Sequence, residues 1–186
     1  MKILRIMPAL LLMTILGQGA YADTGSGPLW SGLQTAASIS EGTGAKQLYI
    51  FFDPNCPYCH DLYQALQPLI GPDQLKIAWI PVGILALSSF GKAAHLLEDN
   101  DPMAALDRAE RAFRHKSGEL TPARATPAIT RGLTNNVRLL AAAGADGVPF
   151  LVYKDQTGRV NTVMGDPPEE ALRGIISHMQ VSLNRH

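Results

Sequence analysis

Leu48-Tyr49-Ile50-Phe51-Phe52 is an unbroken apolar, aromatic run that stops at Asp53-Pro54-Asn55 and passes at once into Cys56-Pro57-Tyr58-Cys59. A continuous run of this kind reads as a strand buried on both faces, because a half-exposed strand alternates polar and apolar residues. Asp53-Pro54-Asn55 ends the strand with turn chemistry. Pro57 marks a first helical turn, where its missing N–H leaves no bond unmade. Leu62, Ala65, Leu66 and Leu69 then hold helical spacing until Gly71-Pro72. The chain must therefore place a cysteine pair at the point where a buried strand hands over to a helix.

The remaining pattern alternates in the same way. Leu75 to Ile80 reads as a second strand, ended by Pro81. Residues 84–143 are mainly helical, with Asp101-Pro102 and Thr126-Pro127 as cap-plus-proline start signals and Gly144 as a stop. Pro149 to Tyr153 and Val160 to Met164 read as two further strands, with a turn at Asp155 to Gly158. Asp166-Pro167-Pro168-Glu169 is expected to cap a last helix whose core face is Leu172, Ile175, Ile176 and Met179. A helix is expected over Leu29 to Ser40, and a loop over Glu41 to Ala45. Strand–helix–strand, a helical block, then strand–strand–helix predicts an α/β fold: a mixed sheet covered by helices, with residues 84–143 as an insertion.

The first 22 residues are expected to lie outside this fold. Lys2 and Arg5 precede an apolar stretch from Ile6 to Gly17, and Ala20-Tyr21-Ala22 follows as a small-x-small cleavage signal. This is the layout of a secretory signal peptide. The apolar stretch is short for a membrane span, which needs about 20 residues. Residues 23–45 then read as a leader and short helix, and 46–186 as the folded domain. The 186 residues carry 16 basic and 16 acidic side chains, so no charge bias points to nucleic acid. Acids and bases mix from Arg108 to Lys116, which reads as a solvated helix face.

The chain has two cysteines, Cys56 and Cys59. A bridge between them closes almost no loop and would restrict the unfolded chain little, which argues for reactive chemistry. A helix N-terminus presents unpaired N–H groups and a partial positive charge, which favours a thiolate there. Cys56 is thus expected as nucleophile, and Cys59, one turn inside, as the resolving thiol. Two duller readings are a passive surface disulfide and a zinc site. The latter has no second cysteine pair to complete four ligands, and His60, His95, His115, His178 and His186 are scattered. No metal and no cofactor beyond the cysteine pair is expected.

The segment Phe51-Phe52-Asp53-Pro54-Asn55-Cys56-Pro57-Tyr58-Cys59-His60 resembles the active-site segment of the DsbC/DsbG family of thioredoxin-like bacterial periplasmic disulfide isomerases and reductases. The Cys-Pro-Tyr-Cys version looks most like the DsbG branch. Ile80-Pro81-Val82-Gly83 with Lys92-Ala93-Ala94, and Gly147-Val148-Pro149-Phe150-Leu151, resemble two further family segments. The resemblance implies a thioredoxin-like fold with a helical insertion in a periplasmic thiol–disulfide oxidoreductase. It implies a cis Pro149 that forms, with Val148, a platform for the substrate backbone. It also implies cysteine-containing exported proteins as substrates, and a membrane-embedded, DsbD-like reductant as partner. Two departures carry expectations of their own. Only residues 23–45 stand where family isomerases carry a dimerisation domain, so a monomer is expected. Val148 replaces the usual Thr and removes a hydroxyl near the sulfur, which resembles the oxidant DsbA.

Three neighbours of the pair are candidates. Tyr58 is expected at the exposed tip, in contact with substrate or as a plain spacer. His60 is expected as an exposed first-turn histidine, with thiolate tuning as its alternative role. Asp53 either accepts a proton beneath Cys59 or merely ends the strand. Trp30 and Trp79 read as packing residues. Isomerase or reductase chemistry, DsbA-like oxidation, and a chaperone that holds unfolded clients are the three functional readings these residues leave.

Overall fold

The computed structural model describes residues 27–114 and 120–182. The expected signal peptide, His115, Lys116 and His186 lie outside the described residues. Five strands form one sheet: β1 (Ile39–Glu41), β2 (Lys46–Phe52), β3 (Leu75–Pro81), β4 (Phe150–Lys154) and β5 (Val160–Met164), in the order β1-β3-β2-β4-β5. β2 and β3 are parallel, and the other pairs are antiparallel. The sheet is mixed and open, as the thioredoxin-like expectation requires.

The apolar run that defines β2 is central, and its residues alternate between two cores. Leu48, Ile50 and Phe52 face α2 (Pro57–Leu66), α4 (Pro102–Ala112) and α6 (Glu169–His178) through Leu62, Leu66, Leu106 and Leu172. Tyr49 and Phe51 face the opposite layer, made by α1 (Gly27–Leu33) and α5 (Pro127–Ala142), through Leu33 and Leu140. Both faces being covered is why the sequence shows no polar alternation there. α3 (Ser89–Glu98) joins the layers at one end, with Ala93 and Ala94 packed on Leu133 of α5.

Start signals worked where a side chain caps a helix. Asp101 accepts from the Ala104 N–H and Thr126 from the Ile129 N–H. Gly144 follows α5 at φ 78°, a left-handed conformation that glycine adopts without a Cβ clash. Two expectations need correction. The helix drawn over Leu29 to Ser40 stops at Leu33, and Ile39–Glu41 is the antiparallel edge strand β1, paired to β3 from Ile39↔Trp79. Ile39 enters the main core, so pairing and burial override a helical spacing of small residues. Asp166 does not cap α6, whose N-cap is Pro168 with no side-chain bond. Trp79 and Trp30 do pack: Trp79 is buried with its Nε1–H on Glu41, and Trp30 meets Tyr49 edge-on.

Asn136 of α5 ties the second layer to the sheet. It is fully buried, its Oδ1 accepts from Ala37 N–H at 3.1 Å, and its Nδ2 donates to the carbonyls of Ala37 and Pro81 at 2.8 and 2.9 Å. Replacing it strands three backbone groups. Asn136→Ala is expected to lower stability by on the order of 3 kcal/mol in urea unfolding with an unchanged m-value. A loss of only a few tenths would contradict this account.

Candidate active site

Cys56 is the N-cap of α2. Its backbone is extended (φ −89°, ψ 115°), and its Sγ accepts from the Cys59 N–H at 3.3 Å. Pro57 fills the first helical position, and the His60 N–H closes the first turn on the Cys56 carbonyl at 3.2 Å. Among helix caps, an oxygen side chain usually satisfies this orphan N–H; here a sulfur does. Both cysteines are free thiols, and both are buried.

Their proton affinities are driven apart. The Cys59 thiol hydrogen bond holds Cys56 below its usual value, helped by the backbone N–H groups of Cys59 and Tyr58; burial and the Asp53 charge oppose this. Burial pushes Cys59 far up, reinforced by its bond to Cys56 and by the charges of Cys56 and Glu110. One thiol is thus prepared to ionise, and the other holds its proton.

The Val148–Pro149 peptide is cis. Cys56 Sγ approaches the Val148 carbonyl oxygen at 3.6 Å, within reach of a weak S–H···O bond. The Gly165 N–H fixes the Pro149 carbonyl at 2.8 Å, so the turn after β5 braces this loop. Tyr58 is exposed at the tip of the motif, 65% accessible, as expected.

Asp53, at the end of β2, is held by four donors. Its buried carboxylate accepts from the N–H groups of Asn55, Ile84 and Leu85 and from Ser89 Oγ, at 2.6 to 3.0 Å. Gly83, at φ 65°, turns the chain so that the two loop amides point inward; a Cβ there would lie 2.8 Å from Phe90 Cα. Asn55 extends this network. Its amide donates to Ser88 and Ser89 hydroxyls, and its Oδ1 accepts from Lys92 Nζ at 2.8 Å. Ser89 and Lys92 are buried residues that the sequence reading did not assign to the site.

His60 corrects the expectation of an exposed ring. It is 6% accessible, with Nδ1 2.8 Å from Glu110 Oε2 and its ring stacked on Phe113 at 4.8 Å. Glu110 corrects the reading of Arg108 to Lys116 as solvated throughout. Arg108 and Arg111 are exposed, but Glu110 faces α2 and is buried. Burial raises the Glu110 carboxyl above its ordinary value, and the His60 bond opposes this. No group of three or more His, Cys, Asp or Glu side chains is placed to hold a metal among the described residues.

A cysteine-capped helix facing a cis-proline loop on this mixed sheet defines a thioredoxin-fold dithiol site. The chain belongs to the thioredoxin-like domain family, whose model matches residues 33–180. It is 32% identical over 151 residues to a thiol:disulfide interchange protein DsbG of Pseudomonas aeruginosa, covering 80% of this chain and 58% of that one. It is 24% identical to the DsbG of Escherichia coli, covering 89% and 66%. The chain thus spans about three fifths to two thirds of these relatives' length. The catalytic domain of Proteus mirabilis ScsC shares the fold at TM-score 0.67 and 21% identity, covering 82% of this chain and 95% of that one. A periplasmic thioredoxin-like protein of Salmonella enterica serovar Typhimurium does so at TM-score 0.65 and 20% identity, covering 81% and 95%.

Unequal thiols have a direct readout. In the reduced protein, iodoacetamide is expected to modify Cys56 with a rate that rises through a midpoint below the ordinary thiol value of about 8.5. Cys59 is expected to stay unlabelled until the protein unfolds. Peptide mass spectrometry across a pH series checks this, and equal labelling of the two thiols would contradict it.

Proposed function

We propose that the chain is a periplasmic thiol–disulfide oxidoreductase that reduces or rearranges disulfides of exported proteins through Cys56 and Cys59. The observation that carries this reading is the Cys56 sulfur held at the α2 N-terminus by the Cys59 N–H, beside the cis Val148–Pro149 bond. Cys56 attacks a substrate sulfur as thiolate, and a mixed disulfide forms. Cys59 then attacks Cys56, releasing reduced substrate. The signal-like residues 1–22 and the DsbG relatives support export to the periplasm. A membrane-embedded, DsbD-like thiol reductant returns the pair to the dithiol. Val148 and Pro149 serve as the platform for the substrate backbone, and Tyr58 contacts substrate. DsbA-like net oxidation is the competing direction, and a reduction potential near about −120 mV would favour it.

Apolar exposure around the dithiol favours a second reading, a chaperone that holds unfolded clients. Leu85, Leu87 and Phe90 are exposed on or beside the loop that Asp53 anchors, and Met164 is exposed opposite Phe150 at the end of β5. With exposed Tyr58, these apolar side chains suit contact with unfolded polypeptide.

Two variants separate these readings. Cys56→Ser is expected to abolish disulfide reduction in an insulin precipitation assay. Cys59→Ala is expected to accumulate mixed disulfides with exported proteins, visible as thiol-sensitive bands from the periplasm. If the wild type exchanges no disulfide while Cys56→Ser still suppresses client aggregation, the oxidoreductase reading fails and the holding role stands.

A further inference from the structure

Lys92 is a charged side chain in an apolar setting. α3 buries it along with Ala93, Ala94 and Leu96, and it is 6% accessible. An ammonium withdrawn from water is costly unless it is paired and hydrogen-bonded. Its Nζ donates to Asn55 Oδ1 at 2.8 Å. Asn55 Nδ2 in turn donates to Ser89 Oγ at 2.8 Å and to Ser88 Oγ at 3.2 Å. Ser89 Oγ donates its own hydrogen to Asp53 Oδ1 at 2.7 Å.

These bonds run in one direction, from ammonium to carboxylate. Lys92 only donates and the ionised Asp53 only accepts, so the amide and hydroxyl between them have one consistent arrangement. The Asn55 oxygen faces Lys92, and its nitrogen faces the serines. Asn55 also stands inside the turn that delivers Cys56. The Cys56 N–H bonds to the Asp53 carbonyl at 3.0 Å, and the Asn55 N–H to Asp53 Oδ1 at 2.9 Å. Asn55 is joined to Cys56 by a rigid peptide plane, so its placement sets the direction in which the Cys56 sulfur leaves the turn.

We propose that Lys92 is a positioning residue for Cys56: by holding Asn55 Oδ1 it fixes the Asp53–Cys56 turn so that the Cys56 sulfur meets the Cys59 N–H. The inference rests on the oxidoreductase reading above. It brings into that reaction a residue of α3 that lies 37 positions beyond Asn55. The effect is one of geometry. The Asp53 charge at the far end of the chain opposes ionisation of Cys56, while hydrogen bonds from Cys59 and the first helical turn favour it. Lys92 serves the thiolate by keeping those bonds aligned.

Two rival accounts make different predictions. Lys92 could act on stability alone, leaving the thiolate untouched. Its charge could also attract the thiolate directly, which needs no Asn55. The pH profile of Cys56 alkylation by iodoacetamide in the reduced full chain separates all three. Lys92→Met keeps the length of the side chain and removes the charge. It is expected to raise the midpoint by about one pH unit and to slow alkylation about tenfold below it, the loss of one hydrogen bond to a charged sulfur. Asn55→Ala, which leaves the ammonium in place, is expected to give the same shift. The double variant is expected to shift no further, because the two residues act in series.

An unchanged midpoint in Lys92→Met overturns the proposal, even where the variant is less stable in urea. A shift in Lys92→Met with none in Asn55→Ala, or shifts that add in the double variant, also overturns it, since the charge then acts directly. A wild-type protein whose Cys56 is alkylated but which exchanges no disulfide overturns the oxidoreductase reading instead. Should Lys92→Met fail to fold by circular dichroism, Asn55→Ala decides: a raised midpoint supports the proposal and an unchanged one overturns it. If neither variant folds, the wild-type Asn55 side-chain amide decides by NMR. Protection of its protons from solvent exchange supports the clamp, and free exchange overturns it.

Discussion

The site depends on one buried carboxylate. Asp53 ends β2, and its two oxygens gather the Asn55 amide, two amides of the loop after β3, and the Ser89 hydroxyl at the start of α3. A carboxylate withdrawn from water is costly unless its lone pairs are satisfied, and here four donors satisfy them. In return, the end of β2, the loop after β3 and the start of α3 are tied to one point just before Cys56. The Cys56 N–H itself bonds to the Asp53 carbonyl at 3.0 Å. These bonds hold the strand end beneath the sulfur that caps α2.

From that point the insertion becomes part of the site. α3 contributes Ser89 and Lys92 to the Asn55 network, and α4 lays Glu110 against His60. The block between β3 and β4 therefore supplies both a mechanical floor, through Ser89 and Lys92, and an electrostatic wall, through Glu110. The same block presents the exposed apolar side chains Leu85 and Leu87.

Much of this was legible from local pattern. The β2 run, the Cys56-Pro57 helix start, the Asp101 and Thr126 caps and the Val160–Met164 strand all depend on near neighbours, and near neighbours are what a sequence displays. What stayed hidden needs contacts across the chain. His60 and Glu110 are 50 residues apart, and a histidine in a helix's first turn gives no sign that another helix will cover it. Glu110 sat among alternating charges, where only the direction of the α4 apolar stripe (Met103, Leu106, Ala109) separates the buried acid from its exposed neighbours. Ile39–Glu41 became a strand because β3 offered an open edge, which no spacing of its own residues encodes.

Val148 shows how far local chemistry carries the question of electron flow. It was singled out for a side chain lacking a hydroxyl, yet its carbonyl is the group facing Cys56, while its side chain packs against both cores. The stabilisation of the Cys56 thiolate comes chiefly from Cys59 and the backbone of the first helical turn. A thiolate accepts those hydrogen bonds more strongly than a disulfide sulfur does, so each favours the dithiol and raises the reduction potential. At residue 148 the group that meets the sulfur is the backbone carbonyl, not the side chain. Hydrogen bonds at the α2 N-terminus lower the proton affinity of Cys56, and burial raises that of Cys59.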